Sequence, residues 1–286
     1  MRRRVDAATP VGDKIALDIV GGRGRLSWSS LAELWQFREV QVAFVARQLK
    51  VRYKQAVIGA GWVVLQPVIA AVIFAVILGR YTHVSTDAPF FLIALAGMVG
   101  WTYFANALAV GAESVVANRE LVRKVYFPRE ILPLTAVFSG LVDLVVALGV
   151  LIVATFAYGI APAPAWLALP LPMLILVFFA GACAVGLSAL NIYYRDVRYA
   201  LPFLIQVWLV ATPIAYSLSV IPSDYRTVYA ILNPLAAAVE AFRRIVIYGE
   251  WPDAELTFGA LGWSFLLLAL AALLFKRLER GFADRA

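Results

Sequence analysis

The chain has 286 residues, of which 63% are hydrophobic and 15% charged, and its formal net charge is +7. A soluble domain of this length keeps amphipathic faces and a charged surface, so this composition excludes an ordinary water-soluble globule. A single cysteine, Cys183, and a single histidine, His83, leave no material for an intrachain disulfide or a Cys/His metal site.

At the start, Arg2, Arg3 and Arg4 are followed by the polar stretch Asp6 to Lys14 and by no apolar segment, so they do not read as an export signal. Residues 1–29, Gly-rich around Gly21 to Gly24, are expected to form a loose cytoplasmic arm. Ser30 followed by Glu33 is a capping-box pattern ahead of Leu34, Trp35, Phe37, Val40, Phe44 and Leu49. It predicts an amphipathic helix from Ser30 to Leu49, within an interface segment at 30–54. Lys50, Arg52 and Lys54 stand just before the first apolar run, where they would meet lipid phosphates with Tyr53 at headgroup depth.

Six long apolar runs follow: Val57 to Leu78, Phe90 to Ala112, Ile131 to Tyr158, Trp166 to Leu190, Tyr199 to Ser217 and Leu256 to Phe275. Each is close to the roughly 20 residues a helix needs to cross a bilayer. The chain is therefore predicted to be an all-α polytopic membrane protein, with a six-helix transmembrane domain at 55–278 and a short tail at 279–286. Of the 25 Lys and Arg residues, 21 fall before the first run, after the last, or in the second and fourth connections. The positive-inside rule then puts both termini in the cytoplasm. The positive charge is a topology signal facing anionic lipid, and no basic stripe interleaved with aromatics points to nucleic acid.

The second connection, 118–130, mixes Leu121, Val122, Val125, Tyr126 and Phe127 with Arg119, Arg123, Lys124 and Arg129. The Glu120 to Lys124 spacing favours a helix that Pro128 ends. Apolar residues on a short cytoplasmic helix need a partner, either the headgroup region or a groove on another protein.

Only Asp143 puts a formal charge inside a run. At a helix centre it costs roughly 2.5 to 3.5 kcal/mol on insertion scales, so it faces a wet path or a hydrogen-bonding partner within the bundle. Trp62, Phe74, Trp101, Tyr103, Phe104, Phe203, Trp208 and Tyr216, with the amides Gln66, Asn106 and Gln206, are the candidate lining of a path for sugars. The other reading of such aromatics is packing or interfacial anchoring.

Tyr193 to Arg198 reads as a turn at the inner boundary, and one Asp between arginines is a poor metal site. No catalytic residue and no metal ligand is assigned. The stretch 218–253 is too polar to span and too apolar for a free loop. Leu235, Val239, Phe242 and Val246 recur at helical spacing, with Glu240, Arg243 and Arg244 on another face and a Glu240 to Arg244 pair expected. Short helices after Pro222 and Pro234 are predicted to dip into the outer leaflet or rest on it.

Five stretches carry a resemblance that spans about Leu31 to Asp284. They are Leu49 to Gln55 with Gly59 to Pro67, Lys124 to Arg129 with Ile131-Leu-Pro133, Tyr194 to Arg198, Leu232-Asn-Pro234, and Glu279 to Asp284. In this order, the chain resembles the membrane subunits of ABC type-2 transporters, in the branch that exports surface polysaccharides such as O-antigens, capsules and teichoic acids. The resemblance implies a homodimer in a bacterial inner membrane that moves a lipid-linked polysaccharide and docks two copies of a separate ATP-binding subunit, where ATP and Mg would bind. It also implies a coupling helix over Asn118 to Phe127, with Asn118, Glu120, Leu121, Arg123, Lys124, Val125, Tyr126 and Phe127 facing that subunit, and re-entrant helices at 218–253. The chain has no Gly-x-x-x-x-Gly-Lys-Ser/Thr phosphate loop, so it cannot bind ATP in that way, and the resemblance implies no cofactor on this chain. With no pair of metal-binding carboxylates for glycosyl transfer, it is expected to be a transport subunit and no enzyme. The alternatives are a small-molecule or drug efflux permease of the same superfamily and, in another class, a membrane enzyme of lipid-linked glycan assembly.

Overall fold

The computed structural model describes residues 28–54, 61–81, 88–279 and 281–282. The expected arm up to residue 27, the Gln55 and Gly59 positions, His83 and the last four residues of the tail lie outside the described residues. The regular elements among those residues are all helical. They are α1 (Trp28–Gln36), α2 (Arg38–Lys54), α3 (Gly61–Tyr81), α4 (Phe90–Ala117), α5 (Arg119–Lys124), α6 (Ile131–Ala157), α7 (Pro170–Tyr193), α8 (Asp196–Ala211), α9 (Ser223–Leu232), α10 (Pro234–Phe242) and α11 (Ala254–Glu279).

Among the described residues four helical segments are long and apolar enough to cross a membrane: α4, α6, α7 with the 3-10 turn that leads into it, and α11. At 1.5 Å per residue the 28 residues of α4 extend about 42 Å, well beyond a hydrocarbon core. The apolar part of α3, Gly61–Ile77, is shorter. Helix α8 has 16 residues, about 24 Å, and stops at Ala211 where the apolar run continued to Ser217. The run breaks because its next carbonyls are claimed from the side: Arg243 donates to Ile214 O at 2.6 Å and to Tyr216 O at 3.0 Å. Pro213, which has no N–H to offer a helix, sits within the break.

Helix α4 is the centre of the bundle, with 18 of its 28 residues buried against α3, α6 and α7. Small residues let the backbones meet: a Cβ on Gly111 would lie 2.6 Å from Ala184 Cβ of α7. Beside that contact Asn191 Nδ2 donates to Ala112 O at 3.0 Å, joining α7 to α4 by a side chain as well as by packing.

Helix α10 does not rest on a surface. Leu235, Ala236, Ala238, Val239 and Phe242 are fully buried, and the helix packs against α4, α7 and α11, so the segment after Pro234 folds back into the bundle. Arg243, expected on a polar face, is 2% exposed and donates also to Ile93 O at 3.3 Å. The expected Glu240 to Arg244 pair is not formed. A π turn over Arg243–Ile247 widens the helix, so Glu240 meets Arg243 at 3.6 Å while Arg244 reaches Glu250 at 3.1 Å and Asp253 at 3.8 Å.

The close α4–α7 approach gives a direct check. Gly111→Leu should destabilise the protein by about 1–3 kcal/mol, because the packed interior has no room for the side chain. Gly149→Leu, at a position with nothing within 4 Å, should leave the thermal unfolding midpoint in detergent unchanged or slightly raised.

Candidate functional site

Asp143 is the thirteenth residue of α6, about 18 Å from its start, and the surrounding helix is almost wholly apolar. Its carboxylate is met by two groups from the last turn of α2: Arg52 forms an ion pair with Oδ2 and the Tyr53 hydroxyl donates to Oδ1. Lower down, the Gln41 amide meets the Thr135 hydroxyl at 3.0 Å and the Phe44 ring packs on Phe127 at 5.8 Å. Helix α2 therefore runs obliquely along α6. The single helix expected from Ser30 to Leu49 is instead two, broken at Phe37.

Arg52 and Tyr53, expected at lipid headgroups, are directed to Asp143, since an uncompensated carboxylate inside the bundle would cost more than two polar groups withdrawn from the headgroup layer. Lys50 and Lys54 remain exposed. Burial, and then the hydrogen bond to Asp143, push the Tyr53 phenol up to about 12. Because this pKa is raised above its unfolded value of about 10, the bond's contribution is complete below pH 10 and is lost as pH rises through about 12.

Around this pair lies a cavity of about 290 Å³ lined by Arg52, Tyr53, Trp62, Gln66, Thr102, Tyr103, Asn106 and Asp143 together with Val63, Val110 and Ala147. Four expected path residues, Trp62, Gln66, Tyr103 and Asn106, thus come together with two expected headgroup residues. Asn106 and Val110 also line a larger groove of about 780 Å³ that continues down α4 between α2, α6 and α8, past Arg47, Glu113, Asn118 and Arg198. Arg198 pairs there with Glu113 at 3.1 Å.

The remaining expected path residues are dispersed. Phe104 is fully buried, stacked on Phe179 at 5.1 Å and edge-on to Trp208 at 5.2 Å, so within this chain these rings are core. Trp208 also donates to Asn233 at 3.1 Å, tying α8 to the start of α10. Trp101 is buried, Phe74 is partly buried against the core, and Tyr216 donates back to the last turn of α8. Phe203 and Gln206 are exposed on α8.

The expected coupling helix, Asn118 to Phe127, is shorter than its sequence pattern: α5 covers Arg119–Lys124, and Val125 is extended. The Glu120 to Lys124 pair forms at 3.1 Å. Glu120, Arg123, Lys124, Val125 and Tyr126 are exposed and contiguous in sequence save for the buried Val122 and half-buried Leu121. Phe127 differs from Tyr126: it is 5% exposed against 66%, and it anchors a second apolar core. That core joins Phe44 of α2, Val115 of α4, Val122 of α5, Ile131 of α6, Ile192 of α7 and Phe275 of α11.

A polar clasp closes the same region. Lys276 pairs with Glu130 at 2.8 Å and Glu279 at 3.3 Å, and Arg129 with Glu279 at 3.8 Å, while Phe282 is fully buried beside Phe275 and Tyr193. Burial and the nearby Glu279 push the Glu130 carboxyl up, with Lys276 opposing. Tyr126 donates to Glu33 of α1 at 3.0 Å. Glu130 and Lys276 were not singled out from the sequence, Glu33 reads only as part of a helix cap and Phe282 only within the Glu279 to Asp284 stretch; the one available signal for the clasp was charge at the ends of apolar runs, which topology alone explains equally well. Among the described residues no three His, Cys, Asp or Glu side chains converge as metal ligands.

Two outcomes test this geometry. Arg52→Met should lower stability by about 2 kcal/mol by leaving a charge unpaired, and adding Asp143→Leu should recover most of it, as measured by thermal unfolding of each variant. Tyr126→Ala should leave unfolding unchanged, while Phe127→Ala should cost about 3 kcal/mol as a core truncation.

Residues 41–247 match the family described as ABC-2 type transporter. The chain is 29% identical over 254 residues to the O-antigen export system permease protein RfbA of Myxococcus xanthus, an alignment that covers 88% of this chain and 97% of the relative. It is 26% identical over 247 residues to the protein of the same description from Klebsiella pneumoniae, covering 86% of this chain and 94% of the relative.

Proposed function

Because the chain belongs to the ABC-2 type transporter family, we propose that it is the membrane subunit of an ATP-driven exporter carrying lipid-linked surface polysaccharide across a bacterial inner membrane. The substrate class is supported by relatives described as O-antigen export permeases that align along most of their length. In this reading α3 and α8 join the four long helices as spans of a six-span topology, with both termini in the cytoplasm. Two copies enclose the path, and the segment over α9 and α10 lies at the outer side as a re-entrant element.

The observation that carries the coupling role is the exposed strip Glu120, Arg123, Lys124, Val125 and Tyr126 set on a buried base of Val122 and Phe127. A partner pressing on this strip moves a core shared by α2, α4, α6, α7 and α11. ATP and Mg belong to that partner, and hydrolysis there would be felt here as a displacement of the strip. No chemistry on the glycan is assigned to this chain.

Deletion of the gene, followed by separate measurement of lipid-linked glycan in the cytoplasmic and surface fractions, tests the reading. Accumulation inside with loss outside is expected. Unchanged glycan in both fractions would overturn it in favour of small-molecule efflux, and absence from both would point to glycan assembly.

A further inference from the structure

The cavity around Asp143 holds more polar groups than the ion pair needs. Asp143 and Arg52 already satisfy the cost of the buried carboxylate, and Tyr53 adds a second donor. Yet Gln66 and Asn106 also line the cavity, with exposed amides that have no hydrogen-bond partner among the described residues. Both amides are therefore free to bond whatever occupies the cavity. Trp62 adds a half-exposed indole, 49% accessible, at the same wall.

A carboxylate, a guanidinium, two amides and an aromatic face form a set of acceptors, donors and a flat apolar surface. That combination matches a pyranose, which offers vicinal hydroxyls at its rim and C–H groups on its face. At about 290 Å³ the space stands at the low end for ligand pockets, enough for one ring, and the larger groove that shares Asn106 and Val110 gives room for the chain beyond that ring. Charge excludes the anionic linker from the same place: Asp143 neutralises Arg52, so a phosphate would face a carboxylate with no free cation of the cavity to offset it.

The geometry points to this cavity as a binding subsite for one uncharged sugar residue, with Trp62 stacking on the ring and Asp143, Arg52, Gln66 and Asn106 holding its hydroxyls. The inference rests on the reading of the chain as a polysaccharide exporter and assigns that path a defined recognition point between α2, α3, α4 and α6. Because Arg52 and Tyr53 lie at the end of α2, an occupied cavity would also hold α2 against α6.

The test is saturation-transfer NMR on the full-length chain in lipid nanodiscs free of glycoside detergent, with methyl glucopyranoside, methyl mannopyranoside and methyl galactopyranoside as probes. Saturation transfer to ring protons of at least one glycoside is expected. It should fall about five-fold in Gln66→Ala, the loss of one hydrogen bond, and at least as far in Trp62→Ala. Gln66→Ala removes only an exposed amide, so an unchanged unfolding midpoint separates lost binding from lost fold. No transfer to any glycoside, equal transfer in the variants, or displacement by inorganic pyrophosphate would each overturn the assignment. Failure of the exporter reading is seen separately, as unchanged glycan distribution in the deletion strain.

Discussion

The buried base beneath the exposed loop, centred on Phe127, is the constraint on which this end of the helix bundle depends. Seven of the described helices send an apolar side chain to it, from Leu34 of α1 to Phe275 of α11, and Phe282 seals it from the C-terminal side. Interiors packed this closely do not deform continuously, so a push on the loop is shared by the helices as a displacement of the whole base. The clasp of Glu130, Lys276, Glu279 and Arg129 adds direction, because it fixes the end of α11 to the start of α6. The exposed Val125 and Tyr126 can then meet a partner while the residue after them holds the membrane helices.

A second constraint acts about 18 Å further along α6, where the Asp143 carboxylate draws the basic end of α2 against the bundle. The two constraints share α2: Phe44 belongs to the lower one and Arg52 with Tyr53 to the upper. Helix α2 is thus a strut between the loop and the polar cavity. The groove between them, lined by Arg47 and Glu113, runs along the same side of α4. At the other end of the bundle Arg243 plays a comparable part, drawing backbone carbonyls from the break after α8 and from the start of α4 onto α10.

The four long apolar helices and the odd charge at Asp143 were legible in the sequence because length and hydropathy are local properties. Its partners were not, since Arg52 and Tyr53 stand about ninety residues earlier and looked equally suited to lipid phosphates. The end of α8 has one local sign, Pro213, but nothing in the apolar run from Tyr199 to Ser217 shows that Arg243, far along the chain, takes the carbonyls beyond it. The π turn that moves Glu240 from Arg244 to Arg243 is likewise invisible to a pattern counted at 3.6 residues per turn. At the candidate site, the sequence named Tyr126 and Phe127 as alike, yet one is exposed and the other buried, because a single step in an extended segment reverses the side chain's direction. Of the residues expected along a path, Trp62, Gln66 and Asn106 line the cavity, whereas Phe104 and Trp101, with the same aromatic signal, are buried, a difference no local pattern shows.

The role proposed for the loop around Tyr126 is contact with an ATP-binding subunit. Tyr126→Cys in a Cys183→Ala background leaves one thiol on the chain, at a position 66% exposed, and Leu167→Cys, 81% exposed beyond the far end of α6, serves as the control. Treatment of membranes containing both subunits with a short thiol-to-amine cross-linker should join position 126, and not position 167, to the ATP-binding subunit. Cross-linking at 167 without cross-linking at 126 would contradict the account.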